Sequence, residues 1–109
     1  MYIVEFRTRA YNNIRDINKN YRSDLLLIDQ WFSNLEAKWL YADHIKEIGR
    51  AKGWMVYRKR VWRWRIVFMM RWMTIDIFLI EIEKNTRKDY SEWINYVIKS
   101  LRTDMLRSQ

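Results

Sequence analysis

The period of the apolar positions changes along the chain. Tyr2 to Phe6 carries β-branched and aromatic residues with no helical spacing, which predicts a short strand. From Thr8 the period lengthens: Ala10, Ile14 and Ile17 recur at four and three, the stripe of a helix with one buried face, and Asn18 to Asn20 forms its exit. A second stripe follows a candidate N-cap at Ser23 and runs through Leu27, Ile28, Trp31, Phe32, Leu35, Trp39 and Ala42. It either continues to Ile48 or breaks into two pieces. Gly49 and Gly53 then mark the helix exit and the entry to a sheet.

Beyond Gly53 the pattern predicts strands over Trp54 to Arg60, Trp64 to Met70 and Thr74 to Glu83. The connections VWR and RWM are short enough for antiparallel hairpins and too short for parallel crossovers. In the third strand Ile75, Ile77 and Leu79 alternate with Phe78, Ile80 and Ile82, so it is expected at the centre of the sheet with both faces covered. Thr86-Arg87-Lys88-Asp89 has the form of a capping box, and Tyr90, Trp93, Ile94, Val97 and Leu101 follow at helical spacing. The predicted fold is α+β: an N-terminal strand, two helices, a three-stranded antiparallel run completing one sheet, and a C-terminal helix.

A chain of 109 residues without Gly/Ser-rich or Pro-rich tracts reads as one domain over 1–109. There is no cysteine, so disulfides are excluded and the cytoplasm is the expected location. The N-terminus does not read as a signal peptide, and the most apolar run, IVFMMRWMTIDIFLI, is interrupted by Arg71 and Asp76. No membrane partner is therefore expected. A single histidine, His44, without cysteines cannot make a zinc site unless several carboxylates join it, and it is assigned to a helix surface; no metal or cofactor is expected.

Charge sharpens the picture. The formal net charge is +8, and from Arg50 to Arg65 seven basic residues occur with no acidic one. Such an excess points to polyanions. In WMVYRKRVWRWRIVFMM, Arg58, Lys59, Arg60, Arg63 and Arg65 stand among Trp54, Tyr57, Trp62, Trp64 and Phe68. A core takes the aromatics and rejects the charges, whereas a solvated face takes the charges and has little use for three tryptophans.

The order of elements, with several residues in it, resembles the RelE/ParE superfamily of toxins from toxin–antitoxin pairs. The residues are Phe6 to Ala10 with Ile14 and Ile17, Tyr57-Arg58-Lys59-Arg60, Trp64-Arg65-Ile66-Val67-Phe68, and Ile77 to Ile82 followed by Lys84 and Tyr90. Together they span roughly residues 2 to 100. The resemblance implies a ribosome-dependent messenger RNA endoribonuclease that works without a metal, by attack of a ribose 2′-hydroxyl on the adjacent phosphate. It also implies a cognate antitoxin partner. Arg65 would stabilise the phosphate, Lys84 would stand where an arginine is usual, and Tyr90 would stack on a base or move a proton. Arg58, Lys59, Arg60, Trp62, Arg63 and Trp64 would hold RNA, cations on phosphates and rings against bases.

Two departures bear on the chemistry. Arginine, with a pKa above about 12, positions a phosphate but hardly takes a proton. Lys59 or Lys84 is then the candidate base, although a regular strand turns Lys59 away from Arg58. Family members that poison DNA gyrase share the fold without nuclease activity, so a binder of gyrase or nucleic acid is the alternative. Glu81 and Glu83, two apart on a strand, are read as answering nearby cations or facing solvent. Trp93, Val97 and Leu101 form either a permanently docked helix face or a contact that an antitoxin exchanges.

Overall fold

The computed structural model describes residues 3–38, 45–82 and 87–107. Its elements are β1 (Ile3–Phe6), α1 (Thr8–Asn20), α2 (Arg22–Lys38), β2 (Ile45–Ala51), β3 (Trp54–Val61), β4 (Trp64–Arg71), β5 (Thr74–Ile82) and α3 (Arg87–Arg107). The strands form one sheet in the order β1-β5-β4-β3-β2. β1 lies parallel to β5, and the other pairings are antiparallel. The α+β class and the expected succession of elements are observed. α2 begins at Arg22, so Ser23 lies inside its first turn instead of capping it.

The antiparallel run holds four strands, one more than expected, because Ile45–Ala51 is a strand and not a continuation of the helix. The spacing of three between Ile45 and Ile48 imitates a helical stripe, but on a strand an odd spacing sends the two to opposite faces. Ile45 packs toward α1 and α2 and Ile48 toward α3, and a bulge between Glu47 and Gly49 then keeps Gly49 and Ala51 on the α3 side with Ile48. Gly49 sits in this bulge and not at a helix exit. Its φ is 152°, and a Cβ there would lie 3.2 Å from Ile98 Cδ1, so glycine lets α3 approach the edge strand. Trp39, Ala42, His44, Glu83, Lys84 and Thr86 lie outside the described residues.

The hairpins turn on two residues each: Lys52-Gly53, Trp62-Arg63 and Trp72-Met73, one fewer than VWR and RWM suggested. Lys52 and Gly53 both have positive φ, the pattern of a type I′ turn, whose twist matches the strands. Trp62 and Trp72 enter the same left-handed region at φ 57° and 58°. A side chain with a Cβ is strained there by roughly 1–2 kcal/mol.

The sheet separates two apolar layers. On one face Ala10, Ile17, Ile28, Trp31 and Phe32 of α1 and α2 pack on Ile66, Phe68, Ile75, Ile77 and Ile80. On the other, Val97, Leu101 and Met105 of α3 pack on Val56, Val67, Met69, Phe78 and Leu79. β5 is an interior strand covered on both faces, as its apolar run implies, but it lies next to the edge strand β1, and β4 takes the middle of the sheet. The side chains of β5 do not alternate strictly, however. Val67 opposes Leu79 while Phe68 opposes Ile77, which makes Phe78 an extra residue and β5 bulged. Leu79 therefore joins Phe78 on the α3 side, and Ile80 joins Ile77 on the α1/α2 side. No helix among the described residues is long and apolar enough to cross a membrane.

Candidate nucleic-acid interface

Strand geometry alone gathers three arginines. Side chains two apart share a face, so Arg58 and Arg60 lie with Val56 on β3, and Arg65 lies with Val67 on β4, all toward α3. Arg60 is the cross-strand partner of Arg65, and Arg65 is the partner of Glu81 on β5. Directly opposed Cβ atoms stand about 5 Å apart, so Arg60, Arg65 and Glu81 form one row across three strands.

α3 closes over this row. The Arg65 guanidinium lies 4.5 Å from the ring centroid of Trp93 and 5.4 Å from that of Tyr90, and the Arg58 guanidinium lies 5.6 Å from Tyr90. The two rings stack on each other at 5.9 Å, and Trp93 Nε1 donates a hydrogen bond to Glu81 Oε1. Beneath them Arg58 is 7% exposed and Arg65 4%. Cation–π contacts of this kind contribute about 0.5–2 kcal/mol each, more where water is excluded. Arg58 Nε, shielded from solvent, has no hydrogen-bond acceptor among the described residues. A buried donor without an acceptor is costly, and a phosphate oxygen is the acceptor a guanidinium fits best.

The rim is aromatic. Arg60 is exposed, and its Nε donates to the Trp62 carbonyl at 3.1 Å. Trp62 itself, 69% exposed at the hairpin tip, is the kind of ring on which an unstacked base settles.

Other residues proposed for RNA binding go elsewhere. Lys59 and Trp64 point to the α1/α2 face and are buried. Trp64 Nε1 donates to Asp24 Oδ2 at 2.9 Å, and its ring meets Tyr21 edge-on. Arg63 pairs with the same Asp24 oxygen at 2.8 Å and lies over Tyr21. The Trp64 hydrogen bond, with the Arg63 guanidinium behind it, holds the Asp24 carboxyl below its ordinary range. Lys84 lies outside the described residues, so Arg58, Arg60, Arg65 and Tyr90 are the predicted residues brought together, with Trp62 at their edge. Glu81, read from the sequence as answering nearby cations or facing solvent, joins them opposite Arg65, and Trp93, read there only as a helix contact, joins them too. A spacing of three from Tyr90 on one helix was the available signal for Trp93, whereas Glu81 depends on the bulge.

A second polar cluster holds the other end of α3. Arg7, between β1 and α1, donates Nε to Asp76 Oδ2 at 2.9 Å and Nη1 to Asp104 Oδ2 of α3 at 2.6 Å, and Arg71 stands 3.7 Å from Asp76. Burial pushes the Asp76 carboxyl up, although Arg7 and Arg71 pull it down. Burial also pulls Arg7 down, but its bonds and charges with Asp104 and Asp76 outweigh that and raise it. The helix is thus pinned by ionic contacts at its C-terminal half and rests on arginines at its N-terminal half. Among the described residues no three His, Cys, Asp or Glu side chains gather as a metal site.

No family model matches the sequence, and no curated protein matches it. Solved structures do share its architecture. The RelE of an archaeal RelE-RelB complex from Pyrococcus horikoshii OT3 superposes with a TM-score of 0.64 at 12% identity, over 78% of this chain and 98% of that one. YoeB from Staphylococcus aureus, solved as a dimer, superposes with a TM-score of 0.62 at 12% identity, over 76% of this chain and 98% of that one. With one parallel edge strand, an antiparallel run and a helix laid over a basic sheet face, the chain carries a RelE-like fold.

Proposed function

We propose that the chain is a toxin-like, ribosome-dependent messenger RNA endoribonuclease acting in the cytoplasm. The observation that carries this reading is the convergence of Arg58, Arg60 and Arg65 on one sheet face beneath Tyr90 and Trp93, within a RelE-like fold. Arg58 and Arg65 hold the scissile phosphate and offset the charge that builds up on it, with Lys84 as a further cation. Tyr90 stacks on a base or moves a proton, and Trp62 receives a flanking base at the rim. Because Tyr90 and Trp93 cover the guanidiniums, the RNA takes their place on Arg58 and Arg65, which calls for the first turns of α3 to shift. The likeness to a RelE solved together with RelB supports a cognate antitoxin as the protein partner.

The test is brief induction in a bacterial host with primer-extension mapping of several messages. New ends inside translated frames are expected, and Arg65→Ala abolishes them while the protein stays folded. Loss of one charge-stabilising group costs on the order of 10²-fold or more in rate. Intact messages in arrested cells refute the nuclease and favour the binder of gyrase or nucleic acid.

A further inference from the structure

Among the described residues, neither the three arginines nor Lys59 supplies this face with a proton acceptor. A guanidinium is not one at neutral pH, and Lys59 is buried on the far face of the sheet. On the near face the group next in line is a carboxylate. We propose that Glu81 is the general base of this site, taking the 2′-hydroxyl proton; the proposal rests on the nuclease reading above.

Three observations carry it. First, Glu81 is on this face only because β5 bulges at Phe78. Strict alternation from Ile75 and Ile77 would have sent Glu81 toward α1 and α2, whereas the extra residue sets it opposite Arg65. Bulges re-aim single side chains in this way and are over-represented beside active sites. Second, Glu81 and Arg60 flank Arg65 on neighbouring strands, each about 5 Å away at Cβ. A phosphate on Arg65 therefore has a carboxylate on one side and a cation on the other. A 2′-hydroxyl bonded one sugar carbon from that phosphate's 3′ oxygen falls within reach of Glu81. Third, Trp93 engages both groups at once, its ring face over Arg65 and its N–H on Glu81 Oε1. Among the described residues nothing takes a hydrogen bond to the second carboxylate oxygen. One side chain thus caps the phosphate holder and the base together, and a shift of α3 uncovers both.

The step balances. The 2′-hydroxyl gives its proton to a Glu81 carboxylate oxygen as the 2′ O–P bond forms. The P–O5′ bond breaks, and the departing 5′ oxygen takes a proton from the Tyr90 hydroxyl, which solvent restores. The products are a 2′,3′-cyclic phosphate and a 5′-hydroxyl end.

The experiment is single-turnover cleavage of an end-labelled message on stalled ribosomes by the full chain, its Glu81→Gln, Glu81→Asp and Arg65→Ala variants, across about pH 5 to 9. Co-sedimentation with the ribosomes and thermal melting are measured in parallel. Glu81→Gln is expected to slow cleavage by about 10²–10⁴-fold and to lose the rise of rate with pH on the acid side, while it co-sediments as the wild type does. Glu81→Asp, which keeps the carboxylate, recovers part of the rate and the acid-side rise even if the amide variant folds poorly. Cleavage by Glu81→Gln within about threefold of wild type overturns the role of Glu81 and leaves the nuclease standing. Loss of ribosome binding in step with cleavage for both Glu81 variants assigns the residue a structural role and overturns the proposal. A wild-type chain that cuts nothing overturns the nuclease reading and this proposal with it.

Discussion

Arg7→Ala removes the side chain that ties β5 to α3. The Arg7 guanidinium is largely buried and bonds two carboxylates, Asp76 at 2.9 Å and Asp104 at 2.6 Å. Asp76 is the more deeply buried of the two; a hydrogen bond to a charged group in such a place is worth about 1.5–3 kcal/mol. Asp104 is about one-third exposed, and solvent screening limits its pair to about 1 kcal/mol or less. The loss at neutral pH is then roughly 2–4 kcal/mol, or on the order of 10 °C in Tm for a domain of this size. Acid reduces it. Without Arg7, Asp76 keeps the burial that raises its pKa above the ordinary 3.8 and loses the main charge that opposed it. A carboxyl with a raised folded pKa binds more protons folded than unfolded, so stability falls as pH rises through the window above 3.8 and is regained on acidification. Thermal melts of wild type and Arg7→Ala from about pH 4 to 8 read the difference directly. It is expected to be small at the acid end and full near neutrality. A deficit independent of pH, or below about 1 kcal/mol at pH 7, refutes the reasoning that Arg7 neutralises a buried charge.

Two further outcomes follow from backbone geometry. Trp72→Gly is expected to raise stability by about 1 kcal/mol in urea titrations, because the residue sits at φ 58° and is 86% exposed, so little burial is lost. Gly49→Ala is expected to lower stability by roughly 1–3 kcal/mol and to speed hydrogen exchange in α3, since a methyl group there meets Ile98 at 3.2 Å on a backbone that disfavours side chains.

Much of this protein was legible from periodicity. The stripe Ala10, Ile14, Ile17, the apolar run of β5 and the helical spacing of Tyr90, Trp93, Val97 and Leu101 each specify an element, because burial of one face selects the period. Alternation on β3 likewise put Arg58 and Arg60 on one side and Lys59 on the other. Composition marked the basic, aromatic segment as a candidate binding surface but could not sort its members. Trp64 and Arg63 look like Trp62 and Arg60 in the sequence, yet the first two bind Asp24, some forty residues away, on the opposite face.

Local sequence therefore determined the elements other than β2, their order and the excess of positive charge, since each depends on residues near one another in the chain. The tertiary structure decided which charges meet. Two bulges matter here: the one at Phe78 turned Glu81 to a face that strict alternation denies it, and the one at Glu47/Gly49 put Ile48 on the same side as Gly49 and Ala51. A bulge is set by how a strand fits its neighbours on both sides, and that fit exists only once the sheet has formed. The same holds for the cover over Arg65: Trp93 reaches both Arg65 and Glu81 because α3 docks through Val97, Leu101 and Asp104, contacts made across the whole length of the chain.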